Sequence, residues 1–214
     1  MIRTLRLFLL LCVAGTSLSF SQTVKELQLP LPQTDIGKPL MQVLKARQSA
    51  RSFDARTLSS QELSNVLWAA DGINRPEVGK RTAPSAMNWQ EIDVYVALPE
   101  GTFLYDAKLN KLVPVASKDL RELTGKQPFV KDAPVTFVYV SDGAKIKNAS
   151  GEDRQLFTAA DAGFIAQNVY LYCASQGLAV VVRGMIDRPQ LARELNLRPE
   201  QKIILAQTIG YPKP

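Results

Sequence analysis

The chain has 214 residues, 46% of them hydrophobic, a formal charge of +6 and no histidine. That length and apolar content suffice for one full-sized domain with its own core. The missing histidine excludes a Ser-His-Asp triad and histidine-based metal sites, and it removes the commonest general base.

The opening residues read as a secretory signal over 1–21. Arg3 and Arg6 supply a charged start, Leu7 to Ala14 an apolar stretch, and Ser17-x-Ser19 or Ser19-x-Ser21 a cleavage site. The apolar part is short for a membrane span. The expected address is therefore outside the cytoplasm, periplasmic or membrane-associated. Without the two leader arginines the charge is +4. No lysine-rich block accompanies it, so nucleic acid is not an expected partner, whereas small anions are. Cys12 leaves with the leader. Cys173 then stands alone in a helical apolar pattern and reads as core, with no disulfide available.

Residues 22–38 form a Pro-punctuated polar arm expected to be extended. Leu40, Val43 and Leu44 have helical spacing and lead into Arg47-Gln48-Ser49-Ala50-Arg51-Ser52-Phe53. Extended, this run alternates with period two, which puts Arg47, Ser49, Arg51 and Phe53 on one side. Two guanidinium forks around a hydroxyl suit a phosphate dianion. Taken alone, the same residues also suit a solvated basic turn.

A helix start follows at Ser59-x-x-Glu62, a capping box with Leu58 and Leu63 as its hydrophobic staple. Leu63, Val66, Leu67 and Ala70 line one face, and Gly72 reads as a left-handed stop. Arg81 to Gln90 is a loop stiffened by Pro84 and running into a strand, Ile92 to Leu98. Asn88 and Gln90 carry amides able to read the edge of a heteroaromatic ring, or simply to cap the turn. A hairpin between Thr102 and Val115 turns near Leu109-Asn110-Lys111. Ser117 to Thr124 reads as a short helix stopped by Gly125. Val135 to Val140 is a strand rich in β-branched residues.

After a polar loop, Gln155 to Gln176 is a long helix, apolar around most of its circumference, ending at Gly177. Such a helix is buried in a core or between subunits. Leu178 to Val182, wholly apolar, suits a central strand. Asp187-x-x-Gln190 caps another helix with Pro189 in its first turn, and Lys202 to Ile209 is the last strand. Helices and strands mix without strict alternation, so the fold class is α+β in one domain over 39–214.

Six motifs occur in one order: Arg47-x-Ser49-x-Arg51-x-Phe53, Ala83-Pro84-Ser85-Ala86-x-Asn88-x-Gln90, Gln127-x-Phe129 before Ala133-Pro134, Gln167-Asn168 ahead of Gly177-Leu178, Arg183-Gly184-Met185-x-Asp187, and Ile209-Gly210-Tyr211-Pro212. In this order the chain resembles the nitroreductase family of FMN-dependent oxidoreductases, and within it short members related to SagB-type dehydrogenases. The resemblance implies a mainly antiparallel central sheet flanked by helices, and a homodimer with FMN at the subunit interface. It implies that Arg47, Gln48, Ser49 and Arg51 hold the phosphate and ribityl chain, and that Pro84, Ser85, Ala86 and Asn88 reach the flavin from the partner subunit. Gln127 is then expected at the pyrimidine edge, with Arg183 and Gly184 beside the ring.

Two departures stand out. Many relatives continue to further basic residues after the Gly-Tyr-Pro stretch, whereas here only Lys213 is at hand for the phosphate. Several carry an acidic residue where Arg183 stands, and a cation there favours negative charge on the reduced cofactor. In a flavoenzyme the cofactor carries the redox chemistry, so no catalytic side chain and no metal are expected. The implied activity passes hydride or electrons from NAD(P)H or another redox partner to a small organic acceptor such as a nitroaromatic or quinone. An exported SagB-like dehydrogenase or oxidase acting on its own substrate, and an FMN-binding protein with little turnover, are the alternatives.

Overall fold

The computed structural model describes residues 24–214. The leader and Cys12 lie outside the described residues. In chain order the elements are β1 (Leu27–Gln28), α1 (Leu40–Ala46), β2 (Phe53–Asp54), α2 (Ser60–Asp71), β3 (Ile73–Arg75), β4 (Lys80–Arg81), β5 (Ile92–Leu98), β6 (Gly101–Asp106), β7 (Lys111–Ala116), β8 (Val135–Asp142), α3 (Gly151–Gln176), β9 (Ala179–Arg183), α4 (Arg188–Glu194) and β10 (Gln201–Pro212). Eight strands form one antiparallel sheet in the order β1-β7-β6-β5-β8-β10, with β9 and β2 sharing the far side of β10. The architecture is the α+β, mainly antiparallel one expected.

Two apolar layers hold it together. On one face Leu63, Val66, Leu67 and Ala70 of α2 and Ala162, Ile165, Val169 and Cys173 of α3 pack on Val94, Val96, Phe137 and Ile209. On the other, Leu191 and Leu195 cover Tyr95, Val138, Val140 and Ala206. Cys173 is fully buried, and burial pushes its thiol pKa well up, which makes it packing rather than a nucleophile.

The capping box is present in full: Ser59 Oγ accepts from Glu62 N–H, and Glu62 returns a bond to Ser59 N–H at 2.8 Å. α3 starts at Ser150, whose side chain accepts from Asp153 N–H, and ends on Gly177 at φ 73°. The N-terminal arm lies along the sheet and α2. β1 pairs with β7, Pro30 O accepts from Ser64 Oγ, and Gln33 N–H donates to Asn65 Oδ1 at 2.8 Å.

Three local expectations are corrected. Gly72 sits at φ −71°, in extended backbone rather than left-handed. A side chain there would collide with the Trp68 indole, so close approach explains the glycine. Ser117 to Thr124 yields only a 3-10 turn at Arg121–Thr124, because Asp119 accepts from both the Arg121 backbone and its guanidinium and draws the chain into a tight turn. The apolar run at 178–182 belongs to a marginal strand, not a central one: β9 pairs only with β10. Its hydrophobicity has another cause. Val180 faces the α2–α3 layer, Val181 packs with Phe53 and Ala133, and Ala50 N–H caps the free edge on Val180 O at 2.9 Å.

Candidate flavin site

α1 ends at Arg47, whose N–H closes the last turn on Val43 O and whose φ/ψ of −57°/122° turns the chain into extended backbone. From there to Arg51 the segment lies on the outer edge of β9 and against α3. The Arg47 guanidinium stands 5.3 Å from the Tyr170 ring centroid, within cation–π reach. Ser49 Oγ lies 2.7 Å from Tyr170 Oη, which also accepts from Val182 N–H at 3.0 Å. With Tyr170 donating to Ser49, the Ser49 hydroxyl hydrogen is left for an outside acceptor. Gln48, Ser49 and Arg51 are exposed. Phe53 does not share their side. It is 4% exposed and packs on Phe129, Ala133 and Val181, because the period-two alternation ends where β2 begins.

β10 brings a third cationic residue here. Pro212 pairs with Phe53 and Tyr211 with Asp54, so Lys213 emerges one position beyond, beside the Arg51–Ser52 stretch. Gly210 allows this strand to pass Pro134: a β-carbon there would come within 2.7 Å of Pro134 Cδ. Among the described residues, Arg47, Arg51 and Lys213 have no carboxylate partner. Three cations without a carboxylate partner, beside a hydroxyl held by Tyr170, form a corner suited to an anion.

The second group sits elsewhere. Ser85 to Gln90 is a tight turn with Met87, Asn88 and Gln90 at φ 49°, 56° and 48°. Gln90 is consumed in building it. Its N–H donates to Ser85 Oγ, its Nε2 to Gly79 O and Asn88 Oδ1, and its Oε1 accepts from Arg81 Nε. Of the two roles open to this amide, the structure shows the capping one. Pro84, Met87 and Asn88 are exposed, and the Ala86 N–H points inward onto Asp161. Asp161 and Tyr170 are two and a half turns of α3 apart, about 13 Å, on opposite sides of the helix. One protomer therefore does not bring the turn to the cationic corner.

The third group is Gln127, Arg183 and Gly184. Arg183 is 5% exposed, and its guanidinium points inward, donating to Thr124 O at 2.7 Å and to the Thr124 and Thr208 hydroxyls. Burial lowers its pKa to about 10. Gly125 makes room, since a β-carbon there would strike Arg183 Nη1. Gln127 Oε1 and Arg183 Nε are both buried without hydrogen-bond partners. The Gln127 oxygen is turned into the protomer, while Gly184 is exposed.

Reasoning from sequence misses Tyr170, Thr124 and Asp161. Tyr170 and Thr124 look like ordinary core residues. Asp161 did carry a signal, because a carboxylate on the apolar side of a buried helix needs a partner.

A model of the nitroreductase family matches residues 44–211. A relative from Methanocaldococcus jannaschii, provisionally named a nitroreductase, is 31% identical over 184 residues, covering 81% of this chain and 90% of its own. A crystal structure from Ralstonia eutropha, also provisionally named a nitroreductase, superposes with a TM-score of 0.85 at 44% identity, covering 89% of this chain and 91% of that one. A nitroreductase-like protein from Desulfovibrio desulfuricans, solved in complex with FMN, shares the fold at a TM-score of 0.62 and 20% identity, over 83% of this chain and 88% of that one. Fold and family model together define an FMN-dependent oxidoreductase. The chain belongs to the nitroreductase family.

Proposed function

We propose that the protein works as a homodimer in which Arg47, Ser49, Arg51 and Lys213 of one protomer hold the FMN phosphate and the Pro84–Asn88 turn of the other closes the pocket. The observation that carries this reading is the corner of three cations without a carboxylate, fixed to α3 and β9 through Tyr170 and Val180. Its donor set fits a phosphate dianion, and Gln48 extends it toward a polyol chain. The turn lies on the far side of α3, which favours its use by a second protomer. Exposed Leu40, Met41 and Leu44 on α1, and Leu156, Phe157 and Phe164 on α3, are apolar side chains of the kind a partner covers. Gly184 and the Gln127 amino group are the polar contacts available to the ring.

Bound FMN supplies the redox chemistry, while the protein's residues bind and orient it and hold back water. The reaction we infer passes hydride or electrons from NAD(P)H or another redox partner to a small organic acceptor such as a nitroaromatic or quinone. The leader-like start supports a second reading: an exported, SagB-like dehydrogenase or oxidase that takes hydride from its own substrate, away from cytoplasmic nicotinamides. Rapid bleaching of the flavin absorbance by NADH or NADPH favours a nicotinamide-fed reductase, whereas bleaching by dithionite alone favours the second reading or an FMN-binding protein with little turnover.

Flavin titration tests the corner itself. Arg51→Ala should weaken FMN binding by about 1.5–3 kcal/mol, the worth of a charge-assisted hydrogen bond. Unchanged affinity would remove Arg51 from the site. Light scattering tests the assembly, since a flavin-loaded monomer contradicts a shared pocket.

A further inference from the structure

The Ser85–Gln90 turn is held from within by a carboxylate. Ala86 N–H donates to Asp161 Oδ2 at 2.9 Å, and Asp161 is 3% exposed. Glu91, next after the turn, has no exposed surface, and neither of its carboxyl oxygens has a hydrogen-bond partner. Two carboxylates in so dry a place do not both ionise cheaply.

Asp161 of α3, Asp71 at the end of α2 and Lys145 act on Glu91, and Asp93 on β5 and Arg81 stand beside these in turn. Neither cation is spare. Lys145 Nζ is taken by Asp93 Oδ1 at 2.6 Å and by Gln90 O at 3.3 Å, and Arg81 is bound to Asp71 at 3.0 Å. Burial, reinforced by the Asp161 charge, pushes the Glu91 carboxyl up to about 7.

We infer that Glu91 keeps its proton and directs it to Asp161, and that this shared proton fixes Asp161 as the acceptor for Ala86, setting the shape of the turn offered to the partner's flavin. The role of the turn rests on the dimeric reading above. The proton-sharing pair does not. Neither acid touches the cofactor, so both are positioning residues. Loss of the proton to solvent sets two carboxylates against each other and frees a turn that holds Met87, Asn88 and Gln90 at positive φ.

Hydrogen–deuterium exchange on the full chain reads this at residues 84–90, corrected for intrinsic rate. The wild type should lose about tenfold in protection as pH rises past about 7, the worth of one hydrogen bond. Glu91→Gln keeps a donor for Asp161 and cannot ionise, so it should stay protected throughout. Asp161→Asn keeps an acceptor for Ala86 without the charge and should flatten the profile by the other route. A wild-type profile with no break, or the same break in both variants, overturns the proposal. The readout needs no flavin. A protein that shows this profile yet takes up no FMN upholds the pair and removes the flavin reading, whereas pH-independent protection in a protein that binds FMN overturns the pair alone.

Discussion

Arg183 is held by more bonds than its motif alone suggests. The resemblance implies a cation beside the flavin ring. The structure sends the guanidinium inward, onto Thr124 and Thr208, and leaves Gly184 at the surface. Gly125 is the condition for this arrangement. Gly125→Ala should cost about 1–3 kcal/mol of stability, the usual penalty for overpacking. In a denaturant series, combining it with Arg183→Met should recover part of that loss, because the two positions share one space. Nothing in the linear order pairs residues 125 and 183. The same holds for Ser49 and Tyr170, whose 2.7 Å contact joins a loop to the middle of a long helix. Donor types for the cationic corner were legible, but the residue that anchors them was not.

Elements were most legible where the signal is local. The capping box at Ser59 and Glu62 depends on four adjacent residues and appears bond for bond. Ser59→Ala should cost about 1 kcal/mol, measurable by chemical denaturation. The strand Ile92–Leu98 and the left-handed end of α3 at Gly177 were legible for the same reason. Failures came where distant groups decide. β9 looks central by composition, but its two faces and outer edge are covered by α3, Phe53 and Ala50, which only the folded chain brings there. Gly72 reads as a left-handed cap, but its reason is the indole one turn back. Gln90 could serve recognition or capping, and Arg81 and Gly79, which claim its amide, decide for capping.

At the scale of the molecule, opposing carboxyls shape the response to pH. Burial raises Asp71 from 3.8 to about 7, against the pull of Arg81, and raises Glu91 from 4.5 to about 7. Each binds its proton more tightly when folded. The stability they contribute is full below the unfolded values and is lost as pH rises through about 7. Glu62, Asp119 and Asp142 behave oppositely. Burial works against their charge, but hydrogen bonds from Tyr211 and Ser59, from Arg121, and from Arg198 and Ala144 outweigh it and hold them below their ordinary values. Their contribution is lost on acidification. Thermal unfolding should therefore show a maximum at about pH 4, near the unfolded values, with a decline toward about pH 7 that Glu91→Gln makes shallower.

The sheet order has a practical consequence for handling the protein. β1 lies at one margin and β2, paired with the last residues of β10, at the other, six strand spacings or roughly 28 Å away. A dye carried at Val24 hangs from the margin remote from Arg51 and Lys213. The same dye at Pro214 sits beside them. Reporters meant to leave the cationic corner clear belong on the β1 side of the sheet.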